Sequence, residues 1–136
     1  MSVEKERHEA ARWLGQARAD LRAAESSIAA GVFEWACFQS QQAAEKALKA
    51  FWLHYSFDPW GHSLLMLIEE FPDDQLRSAI SPLLPQAKAL DKLYIPTRYP
   101  NSLPDSIPSE VYTEPEARSA IESARQVIEA VAAVID

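Results

Sequence analysis

Every proline in this chain lies between Pro59 and Pro115, which leaves residues 1–58 and 116–136 free of the one residue that helix interiors reject. Proline removes a backbone donor, and its ring clashes with the preceding turn. Two long proline-free ends therefore permit long helices, and the 9 prolines between them impose short elements and loops. Glycine is scarcer still: Gly15, Gly31 and Gly61 are the only 3. A sheet protein of this length needs more turn residues, and neither an alternating strand pattern nor an Asn-Gly hairpin signal occurs.

Apolar spacing fills in the helices. Val3, Ala10, Leu14, Ala17, Leu21, Ala24 and Ile28 recur at helical intervals and predict a first helix over Val3–Ala29, with Gly31 as its stop. A second helix is predicted over Glu34–Tyr55. Cys37, Gln41, Ala44, Leu48, Phe51 and Tyr55 form one stripe there, and Trp35, Phe38, Ala47 and Trp52 widen it. A helix apolar over so much of its circumference packs against more than one neighbour, and Trp35 and Trp52 suit a dimer interface. Short helices are expected from His62 or Ser63 to near Pro72, and from Asp73–Asp74 to about Ile80. Leu83, Ala87, Leu90 and Tyr94 predict another that Pro96 closes. Residues 95–112 form the longest irregular stretch. Thr113, Pro115 and Glu116 make a capping box for a last helix whose buried face is Ala117, Ile121, Ala124, Ile128, Val131 and Ile135. The expectation is an all-α, up-and-down helical bundle of four to five helices, three of them long.

With 136 residues, one domain over residues 1–136 is expected. Apolar residues at 48% provide for a core and exclude disorder as the dominant state. A lone cysteine, Cys37, excludes an internal disulfide framework. The charged start of the chain is unlike a signal peptide, and no apolar run is long enough to span a membrane, so a cytoplasmic location is expected. The net charge is −7, nearly all of it from residue 59 onward. That balance argues against a duplex-DNA binder, which needs a broad basic footprint, but leaves room for a local anion site.

No HExxH, CxxC or Glu-x-x-His pair supports a metal site, and neither a glycine-rich phosphate loop nor a nucleophile elbow occurs. No metal, no cofactor and no catalytic residue is therefore assigned. Three features remain. Gln41, Gln42, Glu45, Lys46 and Lys49 place amides and charges on an otherwise apolar helix, either as a solvated stripe or as a buried network. Arg98 lies in a proline-bracketed loop where a guanidinium can clamp phosphate, with Tyr94 and Tyr99 able to stack on a base. The competing reading pairs Arg98 with a carboxylate that fixes the loop. His62, third, suits a loop or cap histidine bonded to backbone.

Read in order, these pieces resemble a known family. Ala17-Arg18-Ala19-Asp20-Leu21-Arg22-Ala23-Ala24 opens the resemblance, and the run from Trp35 through Gln41-Gln42-Ala43-Ala44-Glu45-Lys46 to Ala50 continues it. His62-Ser63-Leu64, Leu90-Asp91-Lys92-Leu93-Tyr94-Ile95-Pro96-Thr97-Arg98-Tyr99-Pro100-Asn101 and the Glu116-Ala117 start of the last helix complete it. The chain is similar over nearly its whole length to HEPN domains. That resemblance implies a helical bundle that commonly dimerises and often acts beside a separately encoded minimal nucleotidyltransferase, in some cases as a toxin–antitoxin pair. It also implies, for many members, a metal-independent ribonuclease built on an arginine followed four to six residues later by a histidine. Here Arg98 is followed by Tyr99, Pro100, Asn101, Ser102, Leu103, Pro104 and Asp105, and no histidine occurs after His62. Asn101 cannot supply a proton near neutral pH as imidazole can.

The sequence thus points to a dimeric HEPN module that binds a nucleotide or RNA phosphate beside a nucleotidyltransferase partner. Its expected contacts are Arg98, Tyr99, Tyr94, Asn101, His62, Lys46 and Lys49. The alternative is a divergent ribonuclease toxin using Arg98 and His62, and a third reading is an adaptor with Arg98 as a structural ion pair.

Overall fold

Side-chain caps open two of the three long helices, and backbone turns close the first two. The computed structural model describes residues 2–136. Helix α1 spans Val3–Ala29, and the Ser2 hydroxyl accepts from the Lys5 amide at its start. At its end Gly31 takes φ +75°, so that the Gly31 amide donates to Ile28 and the Val32 amide to Ser27. This is the Schellman arrangement that glycine adopts at no steric cost. The short connection sends α2, Phe33–His54, back along α1. Helix α2 ends in the same hydrogen-bond pattern, with the Ser56 amide donating to Leu53 and the Phe57 amide to Trp52. Ser56 occupies the left-handed position, at φ +66°.

The proline-rich middle folds as short pieces: α3 (Leu64–Glu69), α4 (Asp74–Arg77), a 3-10 turn at Ser81–Leu83, α5 (Leu84–Asp91), a second 3-10 turn at Pro100–Ser102 and the one-turn α6 (Pro108–Val111). Ser63 caps α3 and Asp73 caps α4. Helix α7, Glu114–Ile135, starts on the capping box that the sequence predicts, with the Thr113 amide and hydroxyl both bound to Glu116. Helix α2 packs against α1 and α7, α1 also meets α7, and α5 bridges α7 to α3. Among the described residues there is no strand, and no helix is long and apolar enough to cross a membrane.

The helix expected to run through Tyr94 to Pro96 instead stops at Asp91. Beyond it the chain continues in turns, with the Leu93 amide donating to Leu90 and the Thr97 hydroxyl to the Leu93 carbonyl. The region expected to be irregular holds a 3-10 turn and a helical turn, both opened by proline. Proline at a first helical position loses nothing, because its missing amide would be unpaired there. On α1, Val3 is exposed, while Ala10, Leu14, Ala17 and Ala24 are buried as predicted. Trp52 is a core residue, not an interface one. Its indole N–H donates to the Leu67 carbonyl at 2.8 Å and its ring meets Phe71 at 5.5 Å between centroids. Trp35, by contrast, is 45% exposed. Cys37 is buried, and that burial, with Glu116 and Glu34 nearby, pushes its thiol up to about 12. It stays a neutral thiol and is no nucleophile.

An L-residue in the left-handed region carries roughly 1 kcal/mol or more of strain that glycine avoids. Ser56→Gly should stabilise the protein by about 1 kcal/mol, seen as a rise of roughly 3 °C in the thermal midpoint. An unchanged or lowered midpoint would show that the Ser56 conformation costs nothing.

Candidate anion-binding site

Helix α2 buries most of its circumference, so the polar residues it carries must find partners inside the protein. Glu45 is 4% exposed. Its carboxylate accepts from Gln41 Nε2 at 3.2 Å, pairs with Lys49 Nζ at 3.2 Å and lies 3.4 Å from His62 Nδ1. The buried Gln41 also donates to the His62 carbonyl at 3.2 Å and accepts from Gln42 at 2.8 Å. Of the two readings open for this run, the structure takes the buried network. It uses that network to hold the loop before α3 against α2.

The His62 ring, exposed on its far side, stacks on Tyr94 with 4.8 Å between centroids and 17° between planes. Tyr94 in turn lies beneath Arg98. The Arg98 guanidinium sits 4.7 Å from the Tyr94 ring centre, 4.2 Å from Phe38 and 5.1 Å from Tyr99. Its Nε donates to the Tyr94 carbonyl at 2.9 Å, closing the turn from Tyr94 to Arg98. Among the described residues no carboxylate reaches Arg98, and its two terminal nitrogens donate to no protein atom. The ion-paired reading of Arg98 is therefore excluded. Aromatic faces hold the cation without neutralising it. Arg98 is half-buried, and the platform beside it runs on through Phe38 to Trp35, 5.8 Å apart edge to face.

Arg98, Tyr94, Tyr99 and His62 thus converge, and Lys49 joins them only through Glu45. Lys46 turns elsewhere. It pairs with Asp20 of α1 at 2.5 Å, in a groove of about 530 Å³ walled by Trp13, Arg12 and Gln16. Asn101 stands exposed in the 3-10 turn at Pro100–Ser102. Phe38, Gln41 and Glu45 are the participants that sequence reasoning did not place in the site. A signal for them exists, since positions 38, 41 and 45 follow helical spacing on one face of α2. Among the described residues no three His, Cys, Asp or Glu side chains gather in a way that would hold a metal ion.

The fold is a helical bundle, and one unneutralised arginine on it is caged by aromatic rings. The comparisons then give its family. The HEPN domain profile matches residues 10–134, and the chain belongs to the HEPN domain family. It is similar to TT1696 from Thermus thermophilus, with 42% identity over 91% of this chain and 96% of that one and a TM-score of 0.84. It is also similar to ST0689, an archaeal HEPN homologue, with 35% identity over 93% and 98% of the two chains and a TM-score of 0.77. A HEPN domain protein from Thermotoga maritima, tm0613, aligns at 29% identity over 90% and 96%, with a TM-score of 0.67. No curated protein matches the chain.

Glu45 and Lys49 are both nearly enclosed, with side chains 6% and 12% exposed. Removing one member of such a pair strands the other charge, whereas removing both does not. Glu45→Ala should destabilise the fold by about 3 kcal/mol in chemical denaturation, and the Glu45→Ala/Lys49→Met double variant should recover most of that loss. Additive losses would show that the two charges are already solvated.

Proposed function

We propose that this HEPN protein is a nucleotide- or RNA-phosphate-binding and assembly module. It acts as a homodimer beside a separately encoded minimal nucleotidyltransferase, as one half of a toxin–antitoxin-like pair. The observation that carries the binding role is the state of Arg98: a guanidinium fixed by three rings and one carbonyl, with its two terminal nitrogens uncommitted. A planar cation so held presents a ready fork to phosphate. The exposed ring of Tyr99 beside it suits a base. His62, on the other contact of Tyr94, adds a second polar group. Apolar side chains left in solvent, Trp35, Ile95 and Tyr99 among them, support the assembly role, because such groups on one side of a small protein suit a partner.

A second reading has a specific observation behind it. His62 and Arg98 both touch Tyr94, so an imidazole and a phosphate-gripping cation share one neighbourhood although no histidine follows Arg98 in the chain. In this reading Arg98 holds the scissile phosphate and His62 moves the proton, giving a divergent metal-independent ribonuclease.

The loss of one charge-assisted phosphate contact is worth roughly 1.5–3 kcal/mol, or about 10- to 100-fold in affinity. Arg98→Ala should weaken binding of labelled ATP, GTP or a short oligoribonucleotide by that factor, read by fluorescence anisotropy, with the circular dichroism spectrum unchanged. Light scattering on the same sample should give twice the chain mass of 15.2 kDa. No binding by the wild type, or equal binding by the variant, removes the role of Arg98, and a monomeric mass removes the dimer. Incubation with total RNA in chelator separates the two readings. Intact RNA supports the binding module, and cleavage that both Arg98→Ala and His62→Ala abolish supports the ribonuclease.

A further inference from the structure

We propose that Asp91 is the positioning residue of this site: its carboxylate, fixed to the start of α3, sets the stack of His62 on Tyr94 beneath Arg98. The proposal rests on reading the Arg98 cluster as the ligand site. Asp91 is the last residue of α5. Its Oδ1 accepts from the Leu64 amide at 2.7 Å, and its Oδ2 accepts from the Leu65 amide at 3.1 Å and from the Ser63 hydroxyl at 2.9 Å. The Ser63 oxygen accepts from the Met66 amide at 3.1 Å. Between them, one carboxylate and one hydroxyl satisfy the amides of Leu64, Leu65 and Met66, and the carboxylate comes from another helix.

The consequence lies on either side of the clamp. His62 immediately precedes the residues that Asp91 holds, and Tyr94 follows Asp91 by three. The two rings belong to separate segments of the chain and are brought face to face where those segments are joined. The other restraints on His62 come from α2, through the Gln41 amide and the Glu45 carboxylate, and α2 also meets Tyr94 through the Phe38 ring, 6.2 Å away between centroids. Tyr94 is also the residue on which Arg98 rests, by its ring and by its carbonyl. Asp91 therefore acts on the cluster without being part of it. The early stop of α5 fits this role, because the chain leaves helical geometry directly after the clamp and turns Tyr94 and Arg98 onto one surface.

The test has an arm that needs no ligand. A stacked Tyr94 ring shifts the His62 imidazole protons upfield in the proton NMR spectrum, and Tyr94→Leu gives the unstacked reference. Asp91→Asn keeps the shape of the side chain and one acceptor oxygen, so it remains informative if Asp91→Ala fails to fold. In folded Asp91→Asn the His62 protons should move most of the way to the Tyr94→Leu positions. Thr113→Ala, which damages the cap of α7, should lower stability without moving them. The second arm uses a fluorescein-labelled mixed-sequence oligoribonucleotide and labelled ATP. Asp91→Asn should weaken binding of whichever probe the wild type holds by about fivefold or more, and should add nothing in a His62→Ala background. His62 protons that stay stacked in Asp91→Asn overturn the proposal, and so do losses that add in the double variant. If the wild type binds neither probe, the ligand reading fails while the NMR arm still decides whether Asp91 sets the stack.

Discussion

Over its middle turns α2 has almost no face left for water, and every polar group it carries there must be paired within the protein. Ala36, Ala43, Ala44, Ala47 and Ala50 are all fully buried, and their small side chains let α1, α7 and the α3–α5 pair surround the helix. Glu45 is the group for which this matters most. A carboxylate taken out of water without donors is far too costly to keep, so the fold supplies Gln41, Lys49 and the His62 loop. The same obligation that stabilises the carboxylate thus draws the chain between α2 and α3 onto the helix.

Arg98 illustrates the opposite arrangement. The chain is strongly acidic, yet none of its acidic side chains among the described residues is spent on this cation. Phe38, Tyr94 and Tyr99 hold the guanidinium through their faces, at a gain of about 0.5–2 kcal/mol per good contact. A guanidinium is weakly hydrated and tolerates such surroundings better than an ammonium would. An ion pair would fix the arginine equally well but cancel its charge. Aromatic restraint keeps both the position and the charge, which is the combination an anion site requires. It also explains why the aromatic residues cluster at this corner of the bundle while Trp52, Phe51 and Phe71 form a separate knot in the core.

The long helices were legible in the sequence because their causes are local. Gly31 ends α1 through its own conformational freedom, and Thr113 and Glu116 open α7 through bonds three residues apart. Arg98, Tyr94, Tyr99 and His62 were legible as candidates because a charged or aromatic side chain in a proline-bracketed loop has few structural duties. Two things were not legible. The clamp between Asp91 and the start of α3 joins groups 26 and 27 residues apart, and apolar spacing cannot register a hydrogen bond across that distance. Lys46 and Lys49 look alike on the helix, yet one meets Asp20 of α1 and the other meets Glu45, because the difference lies in what each neighbouring helix presents. The end of α2 is an intermediate case. No glycine marks it, and Ser56 takes the left-handed turn in its place.

The position of the imidazole has a consequence for how this cluster can vary. In a chain where a histidine follows the arginine by a few residues, the distance between the two is set by one loop and travels with it. Here they lie 36 positions apart, at 62 and 98, and both contact the ring of Tyr94. Their separation is a property of packing: it depends on how α3 seats against α5 and how both seat against α2. Any change that lets α3 slide moves His62 relative to Arg98 while leaving both side chains, and the loop that carries Arg98, intact. The geometry of the cluster is therefore as sensitive to the buried polar joints at Glu45 and at the start of α3 as to the side chains that compose it.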